Sequence, residues 1–368
     1  MSLEEEVSRG RQVIHTDAYP MSIGELINIY RDGEMDIHPE FQREFRWKPY
    51  QKSRLIESIL LGIPLPSIFV AQRKDGVWDV VDGLQRLSTI LSFVRELRDE
   101  DGKLVDPLVL GKTQYLPSLE GISWNGENES TQLPDELKRS FKREKIDVKI
   151  IKSESDENAK FELFQRLNTG GSDLSEQEVR NCLLLMLKKP AYEWLKKMSE
   201  NIDFLECIDL TERQIDEKYQ MEMVLRFLIS SKFDDSKSLE DSDMGPYITS
   251  QMKSILVDRD FNFKAEEEHF EKTFHILKQA LGSDAFKRFS PMKTRHEGAF
   301  SVAIFECISS GVSFAISKGM NDADASAKLK EISRQLPEEA EFAAATRHGM
   351  RGISRFPKLV QLARRLFQ

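Results

Sequence analysis

The chain has 368 residues, of which 40% are hydrophobic and 31% charged, and a formal net charge of −9. These values fit a soluble globular protein of about two domains and exclude an indiscriminate nucleic-acid coat, though not a local basic groove. Cys182, Cys207 and Cys307 are scattered without a CxxC pair. They read as small core residues of a reducing compartment, neither a zinc site nor a disulfide framework. Residues 1–12 are too polar and acidic for a signal peptide. The most apolar window, 298–317, contains Glu306 and five serines, so a buried helix is expected there, not a membrane span. The expected location is the cytoplasm.

Residues 1–19 read as a loose lead-in. Ser22 and Glu25 form a capping box for a helix that runs to about Arg31, with Ile23, Leu26, Ile27 and Tyr30 inward and Gly33 at its end. Pro39 and Pro49 then bracket an extended or looped segment. In it Gln42, Arg43, Arg46 and Lys48 alternate with Phe41, Phe45 and Trp47, a mixture that can hold phosphates, a base or nucleic acid. The plainer alternative is a loop pinned to the core by its aromatics with its arginines in water. Pro49 suits the first position of the next helix. Leu55, Ile56, Ile59 and Leu60 form that helix's buried stripe, leaving Lys52, Arg54 and Glu57 on other faces. A hairpin follows, with strands 67–72 and 77–81 joined by Lys74-Asp75-Gly76.

The return strand delivers the chain to Asp82-Gly83, which is turn chemistry. Leu84, Leu87, Leu91, Val94 and Leu97 then recur at helical spacing. Asp82 is expected to cap this helix and Gln85 to close a capping box. Such a helix start offers free N–H groups and the positive dipole end, and Gly83 permits close approach of an anion. Arg86 lies in the first turn, where a cation is disfavoured unless an anion joins it. An ordinary capped helix, with the arginine solvated or paired with a surface acid, is the alternative. The topology would bring Gln42, Arg43, the 50–61 helix and the Asp82 turn to one cleft.

The ordered blocks Phe41-Gln42-Arg43, Trp47, Arg54 to Ile59, Gly62 to Pro66 and Asp82 to Leu87 closely resemble the DGQQR-motif family. That family's domain forms the N-terminal part of GmrSD-type modification-dependent restriction enzymes and of related phage-defence proteins. The resemblance implies a ParB/sulfiredoxin-like fold that binds nucleoside triphosphates at the motif helix, in several members with hydrolysis that regulates nuclease activity. One departure is Leu84, which stands at the middle position of the motif. The polar contact of the family's glutamine is missing there, which bears on hydrolysis more than on binding. Sulfiredoxin chemistry is set aside, because the first cysteine is Cys182.

Residues 99–135 are polar and turn-rich and read as a pair of short strands and loops, with a flap over the cleft as one arrangement. A short helix over 134–143 and a strand over 145–151 follow, within the first clearly basic region. A helix over 160–167 leads to Asn168-Thr169-Gly170-Gly171, and Ser175 with Glu178 makes a strong helix start. The stretch from Phe164 to Asn181 is a further family block, and the resemblance implies that Asn168, Thr169 and Gly170 approach the nucleotide. A well-made helix–turn–helix corner accounts for the glycines and Ser175 equally well, but not for Arg166 and Arg180.

Beyond Pro190 the pattern is almost wholly helical. Helices are expected from Thr211 through about Ser230 and near 246–257, 263–281, 298–317, 323–335, 338–345 and 356–367. Long relatives end in an HNH nuclease, which needs clustered His and Asn. Past residue 275 only His296 and His348 occur, so any nuclease is expected on a separate chain. Arg347, Arg351, Arg355, Lys358, Arg364 and Arg365 form an acid-free basic segment over 346–368. It suits nucleic-acid phosphates or an acidic partner, or else a solvated helix face balancing the acidic segment 337–341.

The expected organisation is α+β: a lead-in over 1–19, a ParB-like domain over 20–188 and an α-helical domain over 189–368. The leading expectation is a nucleotide-dependent regulatory component of a bacterial defence or restriction system. A nucleoside triphosphate with Mg²⁺ would bind at Asp82, Gly83, Gln85 and Arg86, helped by Arg43 and Arg54. Gln42 would orient phosphate or water, and Asp82 or Glu57 would serve as general base or metal ligand, with no metal cluster of the protein's own. DNA and a separate nuclease or toxin chain are the expected partners, with no membrane, and a homo-oligomer is compatible with the sequence. The alternative is a non-catalytic nucleic-acid-binding or toxin-partner scaffold with a degraded site. A nuclease acting from the N-terminal domain itself finds least support.

Overall fold

A computed structural model describes residue 3 and residues 15–37, 47–99, 101–153, 175–235 and 243–368. The chain forms two compact units, Met1–Asp173 and Leu174–Gln368. The first is built on a mixed five-stranded sheet and the second, among its described residues, is helical apart from one hairpin, so the fold is α+β with a helical C-terminal region.

In the first unit the elements run β1 (Thr16–Ser22), α1 (Ile23–Arg31), β2 (Met35–Asp36), α2 (Pro49–Leu60), β3 (Ile68–Gln72), β4 (Trp78–Asp82), α3 (Leu84–Phe93), α4 (Asp135–Arg143) and β5 (Lys145–Ile151). The strand order is β1-β5-β3-β4-β2. Antiparallel pairs join β1 to β5 and β3 to β4, whereas β3–β5 and β2–β4 are parallel. Strand β5 shows period-two alternation, with Ile146, Val148 and Ile150 buried and Lys145, Asp147 and Lys149 exposed, as expected for a sheet packed on one face. Arg73 donates through Nε to Asp79 at 2.8 Å and through Nη2 to Asp36 at 2.8 Å, and so ties β2 and β4 to the hairpin turn.

Two expectations for this unit are corrected. Part of the supposed lead-in is a strand: β1 pairs with β5 from Thr16↔Ile151 to Ser22↔Lys145. Its first five residues are exposed, so backbone hydrogen bonds carry this edge strand and no apolar alternation announces it. The pair of short strands expected within 99–135 does not form among the described residues. Residues 101–135 contribute isolated bridges and a single short turn of 3₁₀ helix, and Leu110, Leu119, Trp124 and Leu133 are buried in the core. Trp124, Phe93 and Phe141 meet edge-on with centroids 5.5–5.7 Å apart, each pair contributing about 0.5–1.5 kcal/mol beyond the area it buries.

The second unit contains α5 (Glu176–Leu187), α6 (Lys189–Ser199), α7 (Ile202–Cys207), α8 (Glu212–Asp216), α9 (Tyr219–Ser231), α10 (Met244–Leu256) and α11 (Phe263–Leu281). The hairpin of β6 (Arg288–Ser290) and β7 (Arg295–Glu297) follows, then α12 (Val302–Ser317), α13 (Asp322–Gln335), α14 (Ala340–Ala345) and α15 (Gly352–Leu366). Helix α12 is the buried helix expected from its apolar run. A Cβ on its Gly311 would stand 2.2 Å from the Phe367 ring, so only glycine lets α15 close onto it. Phe204, Phe227, Phe270 and Phe274 make a second aromatic cluster, with centroids 4.5–5.4 Å apart.

The helix expected from Thr211 to about Ser230 is two helices. Thr211 and Gln214 form their capping box as expected, but Lys218 adopts φ +59° and restarts the chain as α9. Helix α15 begins at Gly352, earlier than expected, with Pro357 inside it. The β6–β7 hairpin was not anticipated, because its strands are only three residues each.

Candidate functional site

The β4–α3 turn differs from the expected capping box. Gly83, not Asp82, is the N-cap of α3; it sits at φ +97° and no side chain among the described residues caps the helix. A Cβ there would lie 2.9 Å from Ile68 Cγ1 and 3.2 Å from Arg86 Nη2, so glycine is required by both conformation and space. The first intrahelical bond is donated by the Leu87 N–H to Gly83 C=O at 2.9 Å. The N–H groups of Leu84, Gln85 and Arg86 thus belong to the uncapped first turn.

Arg86 is the clamp of this turn. Its Nη2 donates to Asp82 Oδ2 at 3.0 Å, and its Nη1 donates to the carbonyls of Pro66 and, at 3.2 Å, Ser67. Burial pulls the guanidinium pKa below its usual value, with Asp82 only partly compensating. The side chain therefore joins β4, α3 and the approach to β3, and it pairs with an acid as the alternative reading foresaw.

Gln85 points toward the 47–49 segment, where its Oε1 accepts from the Trp47 N–H at 3.1 Å. That bond fixes which end of the amide is oxygen. Among the described residues, the buried Gln85 Nε2 and the buried Ser88 Oγ one turn along find no hydrogen-bond partner. Orphaned buried donors are costly and call for a partner. Ser88 was not singled out from sequence, since a serine facing inward on the second turn has no local signature.

Glu57 is buried in α2, and its Oε1 accepts from the N–H groups of Tyr115 at 2.8 Å and Leu116 at 2.9 Å. Burial works to raise its carboxyl pKa, but hydrogen bonds from Thr113, Tyr115 and Leu116 and the nearby Arg54 outweigh it, leaving the value below the usual range. The carboxylate pins the 113–116 loop. Neighbouring Ser53 adds a bond, its Oγ accepting from the Gly111 N–H at 2.9 Å. Arg54 is exposed, its guanidinium 5.7 Å from the centroid of the Tyr50 ring. Gln42, Arg43, Asn168, Thr169 and Gly170 lie outside the described residues.

Residues 23–185 match the family model of the GmrSD restriction endonuclease N-terminal domain. The match spans less than half of the chain and marks this segment as similar to that domain. No curated protein and no solved structure matches the chain. The matched segment ends inside α5, yet α5 belongs to the helical unit. The boundary drawn at 188 from sequence therefore follows the family block, whereas the packing changes at 173.

Arg180 explains the packing of α5. Its side chain is 1% exposed and donates to Glu222 Oε2 at 2.5 Å and, through Nε, to Gln177 at 2.8 Å. Glu222 also accepts from Arg226 at 2.8 Å, Arg226 reaches Glu306 at 2.6 Å, and Glu306 accepts from Arg355 at 3.1 Å. Alternating charges thus run through the helical unit as a ladder. Burial opposes the Arg226 charge, but Glu222 and Glu306 outweigh it and hold the guanidinium above its usual pKa.

The basic C-terminal segment is divided. Arg355 serves the ladder, Arg364 donates to Asp235 at 2.7 Å and Arg365 to Glu339 at 2.5 Å and Glu341 at 3.2 Å. The last pairs match the charge-balancing reading. Arg347, Arg351 and Lys358 are exposed. Among the described residues no helix is long and apolar enough to cross a membrane, and no three metal-ligating side chains converge.

Proposed function

We propose that this protein is a nucleotide-binding regulatory component of a restriction or phage-defence system, taking a nucleoside triphosphate at the Gly83 turn and acting with DNA and a separate effector nuclease. The observation that carries the reading is the uncapped α3 start with two orphaned polar groups behind it. Phosphate oxygens are acceptors only, so they suit the N–H groups of Leu84 to Arg86 and the Gln85 amide. Arg86 Nε–H and the remaining Nη2 proton complete the donor set. Asp82 already shares its charge with Arg86, so Mg²⁺ would arrive with the triphosphate and keep most of its waters. Bound Mg²⁺ would neutralise phosphate charge. Leu84 supplies no polar group at the motif's middle position, which favours a binding switch over rapid turnover.

The test is calorimetric titration of the full chain with ATP, GTP, CTP and UTP plus Mg²⁺, with phosphate release followed in parallel. Gln85→Glu keeps the acceptor for the Trp47 N–H but replaces the donor with negative charge. Binding in wild type and at least a tenfold loss in Gln85→Glu are expected, each protein being titrated well below its own melting transition. Leu84→Gln is expected to raise phosphate release severalfold. A wild type that binds no nucleotide, or a Gln85→Glu protein that binds as well as wild type, would overturn the assignment in favour of a scaffold.

A further inference from the structure

The β6–β7 hairpin is unlike the rest of the helical unit. Its register is Arg288↔Glu297, Phe289↔His296 and Ser290↔Arg295, which leaves a four-residue tip, Pro291-Met292-Lys293-Thr294. Thr294 at φ +51° closes the tip, and the Lys293 N–H donates to Ser290 C=O at 3.2 Å. Met292 is 97% exposed, the most exposed large apolar side chain described. Nothing in the fold of this unit requires a methionine there.

The hairpin base is firm. Phe289 and His296 meet edge-on across the strands at 5.2 Å, and the Phe286 C=O just before β6 accepts from the Ser301 N–H at 3.0 Å. The projecting tip is thus a wedge on a fixed mount. Its flanks are basic: Arg288, Lys293 and Arg295 are exposed, and the only acid in the hairpin, Glu297, is shared between Lys293 at 2.8 Å and Arg295 at 3.7 Å. A cavity of about 830 Å³ opens beside the hairpin, and Arg288, Met292 and Arg347 all border it. The exposed Arg351 stands four residues further on, and residues 346–351 contain no acid. In a chain of net charge −9 this is a concentrated reversal of sign.

A rigid two-stranded ribbon fits a duplex groove, cations spaced along it meet phosphates, and an apolar tip of Pro and Met is the residue type that enters a base step and unstacks it. We infer that the β6–β7 hairpin with Arg347 and Arg351 is a duplex-DNA contact in which Met292 wedges between base pairs while Arg288, Lys293, Arg295 and Arg347 hold phosphates. The inference rests on the DNA-directed part of the function proposed above and assigns it to this hairpin with Arg347 and Arg351, leaving out Arg355, Arg364 and Arg365, which are paired with acids. The unstacking energy, a few kcal/mol, is lowest at pyrimidine–purine steps. The contact should therefore favour deformable sites without reading base edges.

The experiment uses the full chain and a labelled 20-base-pair duplex carrying 2-aminopurine beside a central TA step. Anisotropy is measured over a salt series, and 2-aminopurine emission reports unstacking. Wild type is expected to bind with a steep salt slope and to raise the emission. Arg288→Ala/Arg347→Ala should flatten the log–log slope by about 2, close to 0.9 per lost phosphate contact. Met292→Ala should keep the wild-type slope, lose the emission rise and bind about fivefold more weakly. Both sites are exposed, so unchanged melting curves are expected. A wild type that binds duplex while both variants match it would overturn the hairpin assignment and leave the proposed function standing. A wild type that does not bind duplex at all would overturn both the hairpin and the DNA-directed part of the function, but not nucleotide binding, which calorimetry reads separately.

Discussion

Replacing Arg86 by alanine tests whether this arginine holds the turn. Three acceptors lose their donor: the carbonyls of Pro66 and Ser67 and the Asp82 carboxylate. The Arg86 side chain is only 12% exposed, so the Ser67 carbonyl is not readily reached by water in its place, whereas Asp82 at 29% and the carbonyl of the exposed Pro66 are partly rescued by solvent. Taking about 1 kcal/mol for each unpaired acceptor and discounting the Asp82 carboxylate and the Pro66 carbonyl gives a loss of about 1–2 kcal/mol. With a urea m-value of about 2 kcal/mol/M for a unit of this size, the midpoint should fall by about 0.5–1 M. Tryptophan emission suits the measurement, because Trp47, Trp78 and Trp124 lie in the first unit and only Trp194 in the second. A midpoint within about 0.25 M of wild type, equivalent to about 0.5 kcal/mol, would refute the clamp. Arg86 would then be free to serve a ligand alone. If the clamp holds, Arg86→Ala loses turn and ligand together, which is why Gln85→Glu is the cleaner binding probe.

Glu57 should make the first unit acid-sensitive. Its carboxyl lies below the ordinary 4.5 in the folded chain, so its contribution is complete above about pH 4.5 and is lost as the pH falls through the lower folded value. Unfolding midpoints between pH 3 and 7 should slope less steeply in Glu57→Gln than in wild type; parallel curves would remove Glu57 as the cause. In the helical unit, Glu306→Leu leaves Arg226 and Arg355 without their shared acceptor, whose side chain is fully buried. A loss of about 3–5 kcal/mol is expected from breaking such a buried pair, read as a thermal shift of the helical signal. A variant that melts with wild type would show the ladder to be dispensable.

The strand–turn–helix at residues 78–93 was legible because Asp-Gly punctuation and leucine spacing are local signals. Its cap was not, because whether Asp82 or Gly83 ends the strand depends on a single φ angle that Ile68 enforces from β3. Strand β1 escaped notice for a related reason: an exposed edge strand shows no alternation, and its partner β5 lies far along the chain. The break at Lys218 carries no glycine or asparagine to mark its left-handed conformation. The basic C-terminal segment was visible as composition, but its division into paired and exposed cations was not. Glu339 and Glu341 are near in sequence, whereas Asp235 and Glu306 reach Arg364 and Arg355 only through the fold.

The ladder that starts at Arg180 has a consequence for how this chain can be cut or exchanged. A fragment ending after Leu187 keeps the whole family-matched segment but carries away a guanidinium whose acid, Glu222, stays behind. The complementary fragment keeps Glu222 with Arg226 but without Arg180, the other of its two buried cations, and exposes the Gly245 backbone that Glu176 covers. A junction at 173/174 leaves every one of these partners on one piece. Recombination between relatives, natural or engineered, should therefore tolerate crossovers ahead of Glu176 far better than crossovers after Leu187, although homology alone would favour the later point.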